Sequence, residues 1–387
     1  MQKKLKKVAR KDYGKLALAL HKKLGGKIRT TPAQIVKNRE DLSVVYTPGV
    51  GFVSAFLAKN KDKVREYTMK GRTIAIVSDG SAVLGLGNIG PEGAIPVMEG
   101  KAVLFKSFAD LESFPIVLDT QDVDEIVETV VRIAPMFGGI NLEDISAPKC
   151  FQIESRLKEL LDIPVMHDDQ HGTAIVVVAG LINAAKVVKK DIKKMRVVVS
   201  GAGAAGTAVV KLLVKLGVGE VLVLDSKGII TKNRKDLTPH KVELAIITNK
   251  KQLSGDLSDA LAGADVIVGV SGPSLMKARH VRLMAKSAIV FALANPTPEI
   301  TPEEALRGGA VVIATGRSDY PNQVNNSLAF PGVFRGAIDN RVRKITDDMK
   351  LKAAFALAGL VKKPTADKIV PGPFDKGIVQ AIAKVIR

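Results

Sequence analysis

One cysteine, Cys150, and no tryptophan stand among 387 residues. A single thiol excludes an intramolecular disulfide and the disulfide-stapled secreted class, so a reducing cytoplasm is the expected compartment. Aromatics amount to 4 %. They are not interleaved with the basic residues, as in a groove that stacks single-stranded bases. The long apolar stretches are interrupted by Gly, Asn or Lys before reaching the roughly 18 residues of a membrane span. The Lys-rich start lacks the apolar segment of a signal peptide. No repeat is visible.

Acidic residues are scarce at the two ends. Residues 1–29 hold 11 Lys/Arg and one acid, and residues 341–387 hold 11 Lys/Arg and four acids. Of the net charge of +19, these ends carry +10 and +7, leaving +2 for residues 30–340. Basicity confined to terminal segments, expected as exposed helices, suggests solubility or weak contact with an acidic surface. Neither a specific nucleic-acid partner nor a membrane partner is expected.

The length suits two domains. Residues 1–160 mix helical patterns (13–24, 50–60, 123–137) with strand-like runs at 73–77, 103–105 and 115–118. From about 161 a long apolar helix pattern, 173–188, leads into strands at 196–200, 221–225, 264–270, 287–293 and 310–314. Continuous apolar strands alternating with helices mean a parallel sheet covered on both faces. The expected class is α/β: an N-terminal α/β domain, 1–160, and a C-terminal Rossmann-like doubly wound domain, 161–387, with closing helices.

Gly201-Ala202-Gly203-Ala204-Ala205-Gly206 is a Gly-x-Gly-x-x-Gly that follows a strand and opens a helix. Asp225 ends the next strand, 19 residues beyond Gly206. That context is the dinucleotide fingerprint: a tight turn, close approach of backbone to pyrophosphate, close packing, and an acid for the ribose hydroxyls. The second match, Gly85 to Gly90, lacks the acid and reads as a loop. Asp225 favours NAD, while Lys227 could turn to a 2′-phosphate, so the cofactor is NAD or NADP.

A nicotinamide domain suggests hydride transfer, with substrate and acid/base groups on the other domain. Two carboxylate pairs stand out, Glu143-Asp144 and Asp168-Asp169 in "MHDDQHGTA". If they converge, they make an oxygen-rich site for Mg²⁺ or Mn²⁺. Alternatively, Asp168 or Asp169 caps the helix beginning near Thr173. The spacing of His167 and His171 also permits zinc, but no cysteine or third histidine lies nearby.

The chain resembles a malic enzyme of the short bacterial and archaeal type. The resemblance rests on Val45-Tyr-Thr-Pro-Gly-Val50, the run from Ser78 to Asn88, Glu99-Gly-Lys-Ala-Val-Leu-Phe-Lys106, Asn141-Leu-Glu-Asp144 and His167 to Ala174. Asp225-Ser-Lys-Gly228, Asn295-Pro-Thr297, Asn325-Asn326 and Phe330-Pro-Gly332 follow in order. It implies oxidative decarboxylation of L-malate to pyruvate and CO₂. By resemblance, Lys101 is the general base, made neutral by burial or a nearby cation. Tyr46 is the acid that protonates C3, and Asp168 positions Lys101. Glu143, Asp144 and Asp169 match the metal ligands. Asn295, Asn325 and Asn326 are expected to contact malate or the carboxamide. A homodimer is implied. Ala82 stands where larger members carry an arginine that clamps a substrate carboxylate. A malolactic enzyme, which retains NAD and returns the hydride to give lactate, is the alternative. A silent binding protein and an amino-acid dehydrogenase fit the carboxylate set less well.

Overall fold

A computed structural model describes residues 12–387; the lysine-rich stretch 1–11 of the basic amino-terminal end lies outside the described residues. Two sheets organise the chain. The first contains β1 (Thr73–Ser78), β2 (Glu112–Val117), β3 (Gly139–Leu142) and β4 (Val165–His167), in the order β2-β1-β3-β4. All its pairs are parallel. The second contains β5 (Arg196–Ser200), β6 (Glu220–Asp225), β7 (Gly228–Ile229), β8 (Val266–Gly269), β9 (Ala288–Ala292) and β10 (Ala310–Thr315). Its order is β10-β9-β8-β5-β6-β7, parallel except for the short hairpin of β6 with β7. The strand order reverses at β5, where an open α/β sheet opens its ligand crevice.

The helix Asp168–Val188 joins the two sheets. Residues 174–185 are buried without a break, as expected of a helix that is apolar on all sides. One core encloses this helix and reaches from Ile74, Met98 and Phe105 to Val199, Phe291, Phe334 and Leu357. The helix begins five residues before the expected 173, so Asp168 and Asp169 form its first turn. They are not its cap; His167 holds that position. Carboxylates in the first turn are favoured by the positive end of the helix dipole.

Three expectations need correction. Residues 103–105 are not a strand but lie in the helix Gly90–Ala109. Its buried positions Met98, Lys101, Ala102, Phe105 and Ala109 recur at helical spacing, a stripe that a three-residue apolar run conceals. The carboxy-terminal basic segment is not simply an exposed helix. Ala353, Leu357, Ile369, Ile378, Ile382 and even Lys350 are buried. Finally, two helical stretches, Arg39–Lys59 and Asp168–Val188, are long and apolar enough to cross a bilayer by length and composition. The second is largely core. The first is two helices, Arg39–Val45 and Gly49–Lys59, interrupted around Thr47-Pro48.

The amino-terminal region behaves differently from the rest. No residue from 12 to 72 is buried. Leu42, Val44, Val45, Tyr46, Phe52, Val53 and Phe56 present apolar surface to solvent.

Candidate active site

Parallel pairing brings the two carboxylate pairs together. β3 and β4 are neighbours, with Asn141 opposite Met166 and Leu142 opposite His167. The residues just past each strand are Glu143-Asp144 and Asp168-Asp169, so all four carboxylates emerge at the same sheet edge. Ligands of open parallel sheets gather at the carboxyl ends of the strands. Lys101 reaches them from the buried stripe of the helix Gly90–Ala109 and is 8 % exposed.

Lys101 Nζ lies 2.8 Å from Glu143 Oε1 and donates a short hydrogen bond to Asp168 Oδ2. It also sits 4.3 Å from the centre of the Phe330 ring, a cation–π contact. Burial opposes the charge on Lys101, but Asp168, Glu143 and Asp169 outweigh it and raise the pKa above the usual lysine value. That direction is opposite to the neutral state which the resemblance implies for a general base.

The carboxylates show the opposite strain. Burial, with Asp169 next, raises the Glu143 pKa well above its usual value. The same two causes push Asp144 up to about 8. Burial also raises Asp168, against the pull of Lys101. Asp144 holds a left-handed backbone, φ 55°, uncommon outside glycine. Its N–H donates to Asp169 Oδ2 at 2.8 Å, and its carbonyl accepts from Ala82 N–H at 2.9 Å. Ala82, at the position where larger members carry an arginine, contributes a backbone N–H.

One oxygen from each of Glu143, Asp144 and Asp169 falls within 4.8 Å of the others. Asp144 Oδ2 is buried without a partner. An oxygen-only donor set with an unpaired buried oxygen fits a hard divalent cation. The zinc alternative loses its second histidine, because His171 turns to Glu154 at 2.9 Å.

Several residues of the site went unassigned at the level of sequence. Asn141 donates to Glu143 Oε2 at 3.0 Å. Glu154 accepts from the His167 backbone N–H at 2.9 Å and from Lys158, and so grips the start of the helix that carries Asp168 and Asp169. Burial pushes His171 down to about 4, leaving it neutral. Burial opposes the charge on Glu154, yet its neighbours His171, Lys158 and Lys350 hold its pKa well below the carboxylate range. Phe330 was visible only as part of a motif.

The remaining candidates sit further out. Asn326 approaches Gly172 on the same helix as Asp168. Asn325 uses its side-chain oxygen to cap Ser327 N–H at 2.9 Å. The Asn295 carbonyl backs onto Gly85, where a Cβ would stand 2.0 Å away. The second glycine motif, 85–90, is accordingly an exposed loop that leads into the helix Gly90–Ala109 and touches Asn295 through Gly85. Tyr46 is not among the groups around Lys101. It follows the helix Arg39–Val45 and is 65 % exposed. Among the described residues no hydrogen bond joins Tyr46 to Lys101.

The glycine loop after β5 has the form the fingerprint requires. Gly201 has φ 119°, and a Cβ on Gly206 would stand 1.8 Å from the Gly201 carbonyl oxygen. Beyond Gly203 there is open space. The helix Ala204–Leu216 has no side-chain cap, so the amides of Ala204 and Ala205 are free for an anion. Asp225 ends β6 as expected, but Arg234 and Lys241 already occupy its carboxylate. Lys227 Nζ points to Asp236 at 3.0 Å.

The family models agree with this architecture. "Malic enzyme, N-terminal domain" matches residues 25–158. "Malic enzyme, NAD binding domain" matches residues 170–379. The chain belongs to the malic enzyme family. The bifunctional malic/malolactic enzyme of Bacillus subtilis is 53 % identical over 96 % of this chain and 91 % of its own length. The NADP-dependent malic enzyme of Halomonas elongata is 45 % identical over 96 % of this chain and 92 % of its own. The crystal structure of the NAD-dependent malic enzyme of Thermotoga maritima superposes with a TM-score of 0.93 at 50 % identity. It covers 96 % of this chain and 98 % of that one. The fold is thus that of a malic enzyme, an N-terminal α/β domain and a Rossmann-like NAD-binding domain. The relatives carry both NAD and NADP in their names.

Proposed function

We propose that this malic enzyme oxidatively decarboxylates L-malate to pyruvate and CO₂ while reducing NAD(P)⁺. The observation that carries the reading is the buried Lys101–Asp168–Glu143 cluster beside the triad of Glu143, Asp144 and Asp169. A divalent cation held by that triad supplies a Lewis acid for the C2 oxygen. The 201–206 loop would hold the pyrophosphate of a nicotinamide cofactor, which would supply the hydride acceptor for C2. Lys101 would take the C2 hydroxyl proton as general base, for which it must be neutral. Asp168 holds Lys101 Nζ at the substrate. Tyr46 returns a proton to C3 of the enolate left by decarboxylation.

Tyr46 can act there if a second copy of this chain presents it. We therefore propose a homodimer in which the apolar face of residues 39–59 docks on the partner. The support is a row of large apolar side chains exposed to solvent, of a kind that marks an association surface.

A second reading has one specific support, the bifunctional malic/malolactic relative. Absorbance at 340 nm with L-malate, Mn²⁺ and each nucleotide, with pyruvate and lactate assayed, separates the two. Nucleotide reduction that matches pyruvate and stops with EDTA supports the first. Lactate without free NADH supports the second.

A further inference from the structure

β8 and β9 separate at the carboxyl edge of the second sheet. Their last paired residues are Gly269 and Ala292, and the Leu293 N–H still reaches the Gly269 carbonyl at 3.0 Å. Beyond that point the ladder ends, and the amides of Ser271 and Ala294 need another acceptor. One side chain serves both. Glu299, 1 % exposed, takes the Ser271 N–H on Oε1 and the Ala294 N–H on Oε2, each at 3.1 Å. Gly269 leaves room for it: a Cβ there would stand 2.5 Å from the Glu299 carboxyl carbon. The backbone continues the tie. The Glu299 carbonyl accepts from Met276 N–H at 2.9 Å, and the Pro298 carbonyl accepts from Ser274 N–H at 3.1 Å.

Among the described residues no cation pairs with this carboxylate, and burial raises its pKa above the usual glutamate value. A buried charge without a counter-ion is costly, so packing alone does not account for it. Its acceptor pattern does. Two N–H groups converge from two strand ends, and a side-chain amide in that place would aim its own NH₂ at one of them.

The two segments so joined border the crevice in which ligands of a doubly wound sheet sit. A Cβ on Gly201, the first glycine of the fingerprint, would stand 2.7 Å from the Val270 carbonyl oxygen and 3.2 Å from the Ser271 Cβ. Ser271 Oγ lies 3.3 Å from Ser200 Oγ at the end of β5. A Cβ on Gly272 would meet nothing within 4 Å, so this segment faces open space. The other segment carries Asn295, next to Ala294.

We propose that Glu299 is a positioning residue for the nicotinamide half of the cofactor, holding residues 270–274 and 293–297 together as one rim of the crevice. It touches neither cofactor nor malate and acts through Ser271 and Asn295. This rests on the nicotinamide reading of the second domain and deepens it.

Calorimetric titration of the full chain with NADH, NADPH and ADP tests the role without turnover, since ADP reaches only the adenosine and pyrophosphate subsites. Glu299→Gln weakens the tighter-binding reduced dinucleotide at least tenfold and leaves ADP within twofold. Gly269→Ala, which pushes the carboxylate aside without changing it, does the same. A fall in Tm with dinucleotide affinity intact, or an equal loss for dinucleotide and ADP, limits Glu299 to supporting the domain and overturns the proposal. Hydrogen exchange of the wild-type chain without nucleotide reads the tie even where a variant fails to fold. Slow exchange across 270–276 and 293–299 is expected, and exchange at the rate of an open loop overturns the proposal. A folded wild-type chain that binds none of the three nucleotides overturns the nicotinamide reading itself.

Discussion

A Cβ placed on Gly172 would stand 1.9 Å from Asp168 Oδ1 and 3.0 Å from the Asn326 Cβ. Gly172 is one helical turn beyond Asp168, so its missing side chain leaves the space that Oδ1 fills while Oδ2 bonds Lys101. Gly172→Ala must displace Asp168 or Asn326. Asp168 is the end of a short side chain and yields first. The expected outcome is a kcat for malate lowered tenfold or more together with a lower Tm, because Asp168 is buried and paired. An unchanged kcat would show that the Asp168–Lys101 geometry is not needed.

The acidic triad makes stability depend on pH when no cation is bound. With its pKa raised to about 8, folded Asp144 keeps a proton that the unfolded chain releases near pH 4. The native state then binds more protons, and stability falls as pH rises through that interval, by up to about 1.4 kcal/mol per pH unit for one group. His171, lowered from 6.5 to about 4, has the opposite effect: stability rises with pH between those values. The window from pH 6.5 to 8 isolates the carboxylates. Tm in EDTA should fall across it, Mn²⁺ should remove the slope, and Asp144→Asn should flatten it. A flat profile for the wild type in EDTA would contradict the raised carboxylates.

If each Tyr46 serves the Lys101 of the other subunit, as proposed, two inactive variants should complement. Tyr46→Phe and Lys101→Ala should each lower kcat by about 10²-fold or more. A co-expressed mixture should recover roughly a quarter of wild-type activity, since half the dimers are mixed and each has one complete site. No recovery would place both groups in the same subunit. Light scattering that gives a monomer would end the dimer proposal.

Glu154 holds the first turn of the helix that carries Asp168 and Asp169 through the His167 amide and is itself held by Lys158. Glu154→Gln keeps the shape but removes the buried charge. Loss of one member of a buried pair costs about 3–5 kcal/mol, so a clear fall in Tm is expected. Weaker Mn²⁺ binding, read by the paramagnetic signal of the free ion, should accompany it. An unchanged Mn²⁺ affinity at lowered Tm would limit Glu154 to a structural part.

The apolar strands of the second domain were legible because strands buried on both faces need no alternation. Thr73–Ser78 was legible for the same reason. β3 and β4 were not: they are four and three residues long, and each runs into polar site residues that break the apolar signal. The helix Gly90–Ala109 was hidden because Val103-Leu-Phe105 imitates a strand locally, while its true period shows only over three turns.

The sequence by itself determined which chemistry is available. It supplied a glycine fingerprint set between strand and helix, two carboxylate pairs and a lysine in an apolar run, because residue type and spacing carry that information locally. Tertiary structure decided what those groups do to one another. The parallel register of β3 with β4 put four carboxylates at one edge, and burial beside Lys101 shifted their pKa values. Arg234 and Lys241, nine and 16 residues beyond Asp225, took up its lone pairs. Tyr46 was left on an exposed apolar face. These outcomes depend on distances of a few ångströms between segments far apart in the chain, and Coulomb and hydrogen-bond energies follow those distances.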